Sequence, residues 1–128
     1  MPSKGKIIMP ANVDIWPHEL LTAWALSAAG HTVEFLPRIQ GHKIKTPDIL
    51  LNGSPWEIKC PQTDQIAAIE RNIRRACKQS NRVVLDSRRM RKLKGNTIIK
   101  ECQSCIQRIK SLQKLLLIIH PDTVLTIK

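Results

Sequence analysis

The chain has 128 residues, of which 42% are hydrophobic, and this fits one globular domain with a modest core. Lysine and arginine number 21 against 10 acidic residues, which gives a net charge of +11 and a sequence pI of about 10.0. Such an excess indicates a polyanionic partner: nucleic acid, an anionic membrane surface or an acidic protein. No apolar run approaches the roughly 20 residues of a membrane span, and residues 1–10 lack a signal-peptide pattern. We therefore expect neither a membrane span nor an export signal.

The first third of the chain predicts a helix between two short strands. Residues 1–15 are predicted to be irregular apart from a brief strand at 6–9. A helix is predicted over 17–29, because Pro17 suits the first helical turn and an apolar stripe stops at Gly30. The stripe expected to face the core is Leu20, Leu21, Trp24, Ala25 and Ala28. Residues 32–36 alternate as a strand does, and 37–46 form a basic loop.

The rest of the chain alternates strands and helices. After a hairpin at 48–59, the pattern predicts a helix over 64–79, a strand at 82–85, a basic run at 88–94, a helix over 97–113 and strands at 115–119 and 123–127. The predicted inward positions of the two helices are Ile66, Ile69, Ile73 and Cys77, then Ile98, Cys102, Cys105, Ile109 and Leu112. The order predicts a single α/β domain over residues 1–128, with a central mixed sheet flanked by helices.

The four cysteines are predicted to be free thiols, because a domain with this apolar content needs no disulfides in a reducing compartment. The Cys102-x-x-Cys105 pair invites a zinc interpretation. It lies inside a helical pattern with no second Cys/His pair at suitable spacing, so the sequence argues against a zinc site.

The hairpin at residues 48–59 is the most informative segment. Asn52-Gly53 lies between two apolar runs, and this dipeptide favours a type I′ turn, which requires positive φ at both central positions. A two-residue turn there pairs Leu51 with Ser54 and, three pairs further on, places Asp48 opposite Glu57. Because side chains alternate along a strand, Lys59 shares a face with Glu57, while the opposite face is apolar.

Two opposed carboxylates destabilise a sheet unless one is protonated or a cation lies between them. A hard divalent ion such as Mg²⁺ suits two carboxylates and keeps waters for phosphate oxygens. Lys59 beside that ion could orient the attacking water or neutralise developing negative charge. The structural alternative is that Asp48, Glu57 and Lys59 are only polar residues on the solvent-exposed face of a hairpin. The agreement of spacing, register and net charge favours a metal-dependent active site.

The segment Pro47-Asp48, followed after eight residues by Glu57-Ile58-Lys59, resembles the PD-(D/E)xK signature of the restriction-endonuclease-like nuclease superfamily. The layout resembles more closely the C-terminal toxin domains of CdiA-type contact-dependent growth inhibition proteins, many of which are tRNA nucleases. In those domains a helix with a Glu precedes a strand and a "PDilinG…wEiK" hairpin. The likeness runs from about residue 18 to residue 85.

The resemblance implies a restriction-endonuclease-like α/β sandwich and a set of site residues. Asp48 and Glu57 would be metal ligands with the Ile58 carbonyl as a third, and Lys59 would be the catalytic lysine. Glu19 would reach the site from the first helix, although a Glu in a first helical turn is also favoured by the helix dipole alone. The chain opens on its own Met1, and either an excised domain or a free-standing protein is compatible with the sequence.

Basic residues are predicted to track a phosphate backbone. The predicted substrate-binding residues are Arg38, Lys43, Arg71, Arg75, Lys78, Arg88, Arg89 and Arg91. Aromatic residues are few, and Trp24 and Trp56 are predicted to be core residues, so no base-stacking platform is expected.

The sequence therefore predicts a metal-dependent nuclease toxin that hydrolyses RNA, with tRNA preferred on the resemblance and Mg²⁺ as cofactor. A DNA endonuclease of the same fold and a non-catalytic nucleic-acid-binding module are the alternatives. The resemblance also implies an acidic cognate immunity protein, and action in the target-cell cytoplasm after delivery within a larger secreted protein.

Overall fold

A computed structural model describes residues 5–11, 13–37 and 47–128. Over these residues the chain forms a seven-stranded mixed sheet with three helices. The helices are α1 (Pro17–Ala28), α2 (Ala67–Ala76) and α3 (Gly95–Arg108). The strands are β1 (Ile7–Ile8), β2 (Val33–Phe35), β3 (Ile49–Leu51), β4 (Ser54–Lys59), β5 (Arg82–Asp86), β6 (Lys114–Ile119) and β7 (Thr123–Thr126).

The strands lie in the sheet in the order in which they occur in the chain. The β1–β2, β4–β5 and β5–β6 pairs are parallel, and each is bridged by one of the helices. The β2–β3, β3–β4 and β6–β7 pairs are antiparallel. The predicted α/β sandwich with a central mixed sheet flanked by helices is confirmed.

The hairpin forms in the predicted register. Leu51 pairs with Ser54, and Ile49 pairs with Trp56. Asn52 has φ of 51° and Gly53 has φ of 86°, the left-handed values that a type I′ turn requires. The Asn52 side chain also accepts the backbone N–H of Thr32 at 2.8 Å, which ties the turn to the start of β2.

Each face of the sheet has its own apolar core. Residues of α2 and α3 cover one face, where Ile69, Ile73 and Leu85 are fully buried. Residues of α1 cover the other face, where Leu26 packs with the apolar side of the hairpin, including Ile49. The predicted inward residues of α3 are all buried, but Ile109 and Leu112 lie after the helix, which ends five residues earlier than predicted. The backbone of Ile109 is extended, and this turns the chain toward β6.

Helix α1 has the predicted extent but buries a different face. Leu21 and Trp24 are 52% and 56% exposed, and Ala28 is exposed too, so the predicted stripe is wrong at these three positions. Its other two members do face the core: Ala25 is buried and Leu20 is half-buried. The buried residues are Glu19, Thr22, Ala23, Ala25 and Leu26. The helix is rotated because Glu19 and Thr22 have polar partners beneath them, which a rule based on apolar periodicity cannot anticipate.

Helix α2 begins at Ala67, three residues later than predicted, and Ile66 is 36% exposed rather than inward. The carboxylate of Asp64 accepts the backbone N–H of Lys92 at 2.9 Å and so does not cap the helix.

The four cysteines are free thiols, as predicted. None of the helices in the described part of the chain is both long enough and apolar enough to span a bilayer.

Candidate active site

The candidate site lies at one edge of the sheet. The parallel strands β4, β5 and β6 all end at this edge, and β3, which is antiparallel to β4, begins there. Helix α1 starts there as well, because it follows β1, which runs in the same direction. The residues before β3, at the end of β4 and at the start of α1 therefore converge. They line one cavity of about 280 Å³: Trp16, His18, Glu19, Asp48, Glu57, Ile58, Lys59 and Cys60.

The hairpin contributes two carboxylates and a lysine. The regular pairing of β3 with β4 ends at Ile49, and the Asp48 carboxylate then accepts the backbone N–H of Ile58 at 3.0 Å. Glu57 is 5% exposed, and its Oε2 atom lies 3.6 Å from the ammonium of Lys59. Both carboxylates line the cavity, and Lys59 is the cation that forms an ion pair with Glu57 among the described residues.

The carbonyl of Ile58 also lies on the Asp48 side of β4, because the N–H and C=O of one strand residue point the same way. If the hairpin pairing continued, the residue opposite Ile58 would be Pro47. Proline has no N–H to donate, so the ladder offers this carbonyl no donor from Pro47. This carbonyl therefore receives no ladder hydrogen bond from β3, in a residue that lines the cavity.

The environment of Glu57 favours its neutral form. Burial, reinforced by the neighbouring Asp48, raises the pKa of Glu57 from 4.5 to about 8, and the opposing effect of Lys59 is smaller. The Glu57 Oε1 atom is buried without a hydrogen-bond partner among the described residues. A buried, unpartnered carboxylate oxygen beside a second carboxylate is a position that a cation or a proton would stabilise.

Helix α1 brings Glu19 to the same cavity. Glu19 is 6% exposed, and its carboxylate accepts the backbone N–H of Trp16 at 3.3 Å. Four of the five residues given a catalytic or metal role from the sequence come from one hairpin, and the fifth, Glu19, comes from a different element 29 residues earlier than Asp48. The structure brings all five together, and their chemical roles stay predictions.

A polar network that the sequence did not indicate holds α1 against this edge. The Thr22 hydroxyl lies 2.6 Å from Asp86 Oδ2, and it donates its single proton to that carboxylate. Asp86 ends β5, is 4% exposed and accepts two hydrogen bonds from the Arg88 guanidinium, at 2.9 and 2.7 Å. Arg88 also donates to the backbone carbonyl of Leu21 in α1 at 3.0 Å. The network therefore helps to position the helix that carries Glu19.

The predicted substrate-binding residues fall into four groups. Arg71 and Arg75 are exposed on α2, and Lys78 is exposed two residues after its end. Arg89 and Arg91 line a second cavity of about 350 Å³, which shares His18 and Cys60 with the first. Arg88 uses four of its five guanidinium N–H groups on Asp86, Leu21 and Asp122, which leaves it little capacity to bind a phosphate. Arg38 and Lys43 lie outside the described residues.

Comparison with known proteins identifies the family. The family model of the contact-dependent growth inhibition CdiA C-terminal domain matches residues 45–124, which is more than half of the chain. The chain belongs to this family. No curated protein matches the sequence of this CdiA C-terminal domain. Its fold is similar to that of a chain in the "CdiA-CT/CdiI toxin and immunity complex from Burkholderia pseudomallei", with a TM-score of 0.71 and 20% identity over 97% of this chain and 99% of that chain.

The matched segment of this CdiA C-terminal domain contains the hairpin with Asp48, Glu57 and Lys59, but not α1 with Glu19. The structural likeness extends over nearly the whole chain, so the fold that carries α1 is shared as well. The domain is thus a CdiA C-terminal toxin domain of contact-dependent growth inhibition.

The oxygen atoms at the site of this CdiA domain decide whether it suits a divalent metal. The described residues contain no group of three or more His, Cys, Asp and Glu side chains arranged to hold a metal ion. Mg²⁺ needs fewer, because it is usually bound through one or two carboxylates and several waters. Asp48, Glu57 with its unpartnered oxygen and the Ile58 carbonyl supply three oxygen donors of the kind that Mg²⁺ prefers. The residues present fit such an ion.

Proposed function

We propose that this domain is a metal-dependent nuclease that hydrolyses RNA phosphodiesters, with tRNA as its substrate. The observation that carries the proposal is the cavity in which two buried or half-buried carboxylates, a backbone carbonyl and Lys59 meet on a protein of charge +11. The PD-(D/E)xK resemblance of the same hairpin and the membership in a toxin family support it.

Each residue has a definite part in the proposed reaction. Asp48, Glu57 and the Ile58 carbonyl would hold a divalent ion such as Mg²⁺. Such an ion supplies Lewis acidity toward a phosphoryl oxygen and lowers the pKa of water. The Lys59 ammonium, 3.6 Å from Glu57, orients the attacking water and balances the negative charge that develops on the phosphate. Glu19 accepts hydrogen bonds at the α1 side of the cavity and helps to position that water.

The charge of the protein supports nucleic acid as the substrate. Arg89 and Arg91 line the cavity next to the site. Arg71 and Arg75 are exposed on α2, and Lys78 is exposed just after it. Contacts between such residues and phosphates release counterions, so the affinity for RNA should fall linearly with salt on a log–log plot. RNA is preferred over DNA on the family resemblance.

The proposal is tested by incubating purified protein with total tRNA and with plasmid DNA, in Mg²⁺ or in a chelator. We expect cleavage of tRNA in Mg²⁺ and none in the chelator. The variants Asp48→Ala, Glu57→Ala and Lys59→Ala should each lose cleavage by orders of magnitude and remain folded. Glu34→Ala, which changes a carboxylate on β2 outside the site, should cleave as the wild type does.

The outcomes separate the alternative functions. Cleavage of DNA but not tRNA would identify a DNA endonuclease. Salt-dependent binding of RNA without cleavage in any divalent metal would identify a non-catalytic binding module. Wild-type rates in all three site variants would refute the assignment of the hairpin as the active site.

The domain is proposed to act in the cytoplasm of a target cell and to be neutralised by an acidic immunity protein in the cell that makes it. The structurally similar protein is described in complex with an immunity protein. A basic domain favours rapid association with an acidic partner, and desolvated ion pairs then slow its release. Expression of the wild type alone should arrest growth, whereas Asp48→Ala should be tolerated. Unimpaired growth with the wild type would contradict the toxin proposal.

A further inference from the structure

Trp16 is a large aromatic side chain left exposed at the candidate site. It is 55% exposed, although burying an indole is among the larger apolar contributions that a side chain makes to folding. It lines the cavity that also contains Glu19, Asp48, Glu57 and Lys59. Burial in the core therefore does not explain this tryptophan, and its place in the cavity wall suggests a ligand.

The backbone of Trp16 is fixed relative to the carboxylates. Its carbonyl accepts the Glu19 N–H at 3.0 Å, and its own N–H donates to the Glu19 carboxylate at 3.3 Å. Pro17, the next residue, restricts the chain at the first position of α1. The indole is thus carried by a well-determined helix start and not by a long loop.

A second ring extends the aromatic surface. The centroids of the Trp16 and His18 rings are 6.3 Å apart, and the ring planes differ by 21°, which is an offset stack. His18 lines both the site cavity and the neighbouring cavity that contains Arg89 and Arg91. Aromatic faces next to cations are the combination by which proteins hold single-stranded nucleic acid.

The occupant that fits these features is a nucleobase. Lys59 and the exposed Trp16 line the same cavity, so a nucleotide whose phosphate is drawn to Lys59 would have its base within the space that Trp16 borders. A base inside a duplex is already stacked on its neighbours and cannot offer a free face, whereas an unpaired base can. Stacking also tolerates any base, since every base has a π-face.

We propose that Trp16 is a stacking platform for an unpaired nucleobase next to the cleaved phosphodiester, so that the domain cuts RNA where it is single-stranded. The proposal rests on the proposed nuclease function and narrows its substrate to unpaired segments such as loops and tails. It departs from the expectation that the chain has no stacking platform, an expectation that considered only Trp24 and Trp56.

Trp24 provides a matched control. It lies on α1, the helix that begins directly after Trp16, and is 56% exposed, but it does not line the site cavity. If the exposed tryptophans served a protein partner through a shared apolar surface, replacing either one would have the same effect. If Trp16 stacks on a nucleobase, replacing Trp16 should weaken RNA binding and replacing Trp24 should not.

The test measures binding and cleavage separately. Binding is measured in a chelator with single-stranded oligo(A) and with the same oligo(A) annealed to oligo(U), for Trp16→Ala, Trp16→Phe and Trp24→Ala. Trp16→Ala should weaken binding of the single strand roughly 5- to 150-fold, the range for loss of one stacked base. Trp16→Phe should retain most of the affinity, and Trp24→Ala should match the wild type.

Two further measurements, tryptophan fluorescence and the separate values of KM and kcat, distinguish a stacking role from a merely structural one. Once Trp24 is replaced by Phe, Trp16 is the exposed one of the two remaining tryptophans, because Trp56 is buried. Single-stranded oligo(A) should then quench the fluorescence of Trp16, and the duplex should not. With tRNA in Mg²⁺, Trp16→Ala should raise KM by a similar factor and leave kcat within a few-fold of the wild type.

Equal binding by Trp16→Ala and the wild type would overturn the proposal, as would equal losses in Trp16→Ala and Trp24→Ala. Equal affinity of the wild type for single strand and duplex would also overturn it. Selective quenching without cleavage of any RNA would refute the proposed nuclease while leaving the stacking platform in place, so the two failures are distinguishable.

Discussion

Replacing Glu57 with glutamine should abolish cleavage yet make the metal-free protein more stable near neutral pH. Burial and the neighbouring Asp48 raise the pKa of Glu57 to about 8, so the fold favours its neutral form. An unfolded chain releases this proton near pH 4.5. The stability that the neutral carboxyl provides is therefore fully present below pH 4.5 and is lost as the pH rises through 8.

The magnitude follows from the difference between the two pKa values. One pKa unit corresponds to about 1.36 kcal/mol, so ionised Glu57 would destabilise the metal-free fold by on the order of 5 kcal/mol above pH 8, and by roughly 3 kcal/mol at pH 7. Glutamine is uncharged at every pH, and its amide can donate to Asp48 in place of the carboxyl proton. For a domain of this length we expect a midpoint increase of roughly 10 °C at pH 7.

The assay is thermal unfolding of the wild type and Glu57→Gln in a chelator at pH 4.5, 7 and 8.5, with Glu34→Gln as the control in β2. The difference between Glu57→Gln and the wild type should be small at pH 4.5 and grow with pH, while the control should follow the wild type. Added Mg²⁺ should stabilise the wild type and not Glu57→Gln. A constant difference across this pH range, or none, would refute the reasoning about the buried carboxylate.

Other changes test the surrounding structure. Arg88→Ala should lower the free energy of unfolding in guanidinium by about 3 to 5 kcal/mol, because the buried Asp86 carboxylate loses its main partner; an unchanged midpoint would contradict this. Gly53→Ala should reduce stability in the same assay by about 1 to 2 kcal/mol, because φ of 86° strains a residue with a Cβ even though the added atom meets nothing within 4 Å. Burial raises the pKa of Cys102 to about 12 and that of Cys105 to about 11. Both thiols should therefore react with a disulfide reagent at pH 8 only after unfolding, and mass spectrometry of the native protein should find no zinc. Rapid labelling of the native protein would contradict the burial of these thiols.

The hairpin could be predicted in detail because its determinants are local. Asn52-Gly53 specifies the turn, and once the turn is set the alternation of a strand decides which side chains share a face. The convergence of Glu57 and Lys59 at 3.6 Å follows from two-residue spacing on one strand. What the local rules missed is that pairing stops at Ile49, so that Asp48 turns its carboxylate to a backbone N–H.

The face of α1 could not be predicted because it depends on distant residues. Thr22 is buried by a hydrogen bond to Asp86, which is 64 residues away in the chain, and no periodicity of α1 reveals that partner. The same applies to Arg88, which looks like part of a solvated basic run until its partners Asp86 and Asp122 are known. Composition predicts that basic residues bind phosphate, but only the fold shows which of them already have anionic partners.

The strand order has a consequence for how the protein reaches its folded state. Every strand pairs with the strand that precedes or follows it in the chain, so the sheet can grow by successive local additions, without a late strand inserting between two earlier ones. Pairing between neighbours in the chain keeps the sequence separation of each pairing smaller than in an order that requires distant segments to meet first, and smaller separations favour faster folding. If delivery carries the domain across a membrane unfolded, the domain has to fold again inside the target cell, exposed to that cell's proteases. In that case a strand order equal to the chain order would shorten the interval in which the unfolded chain can be degraded.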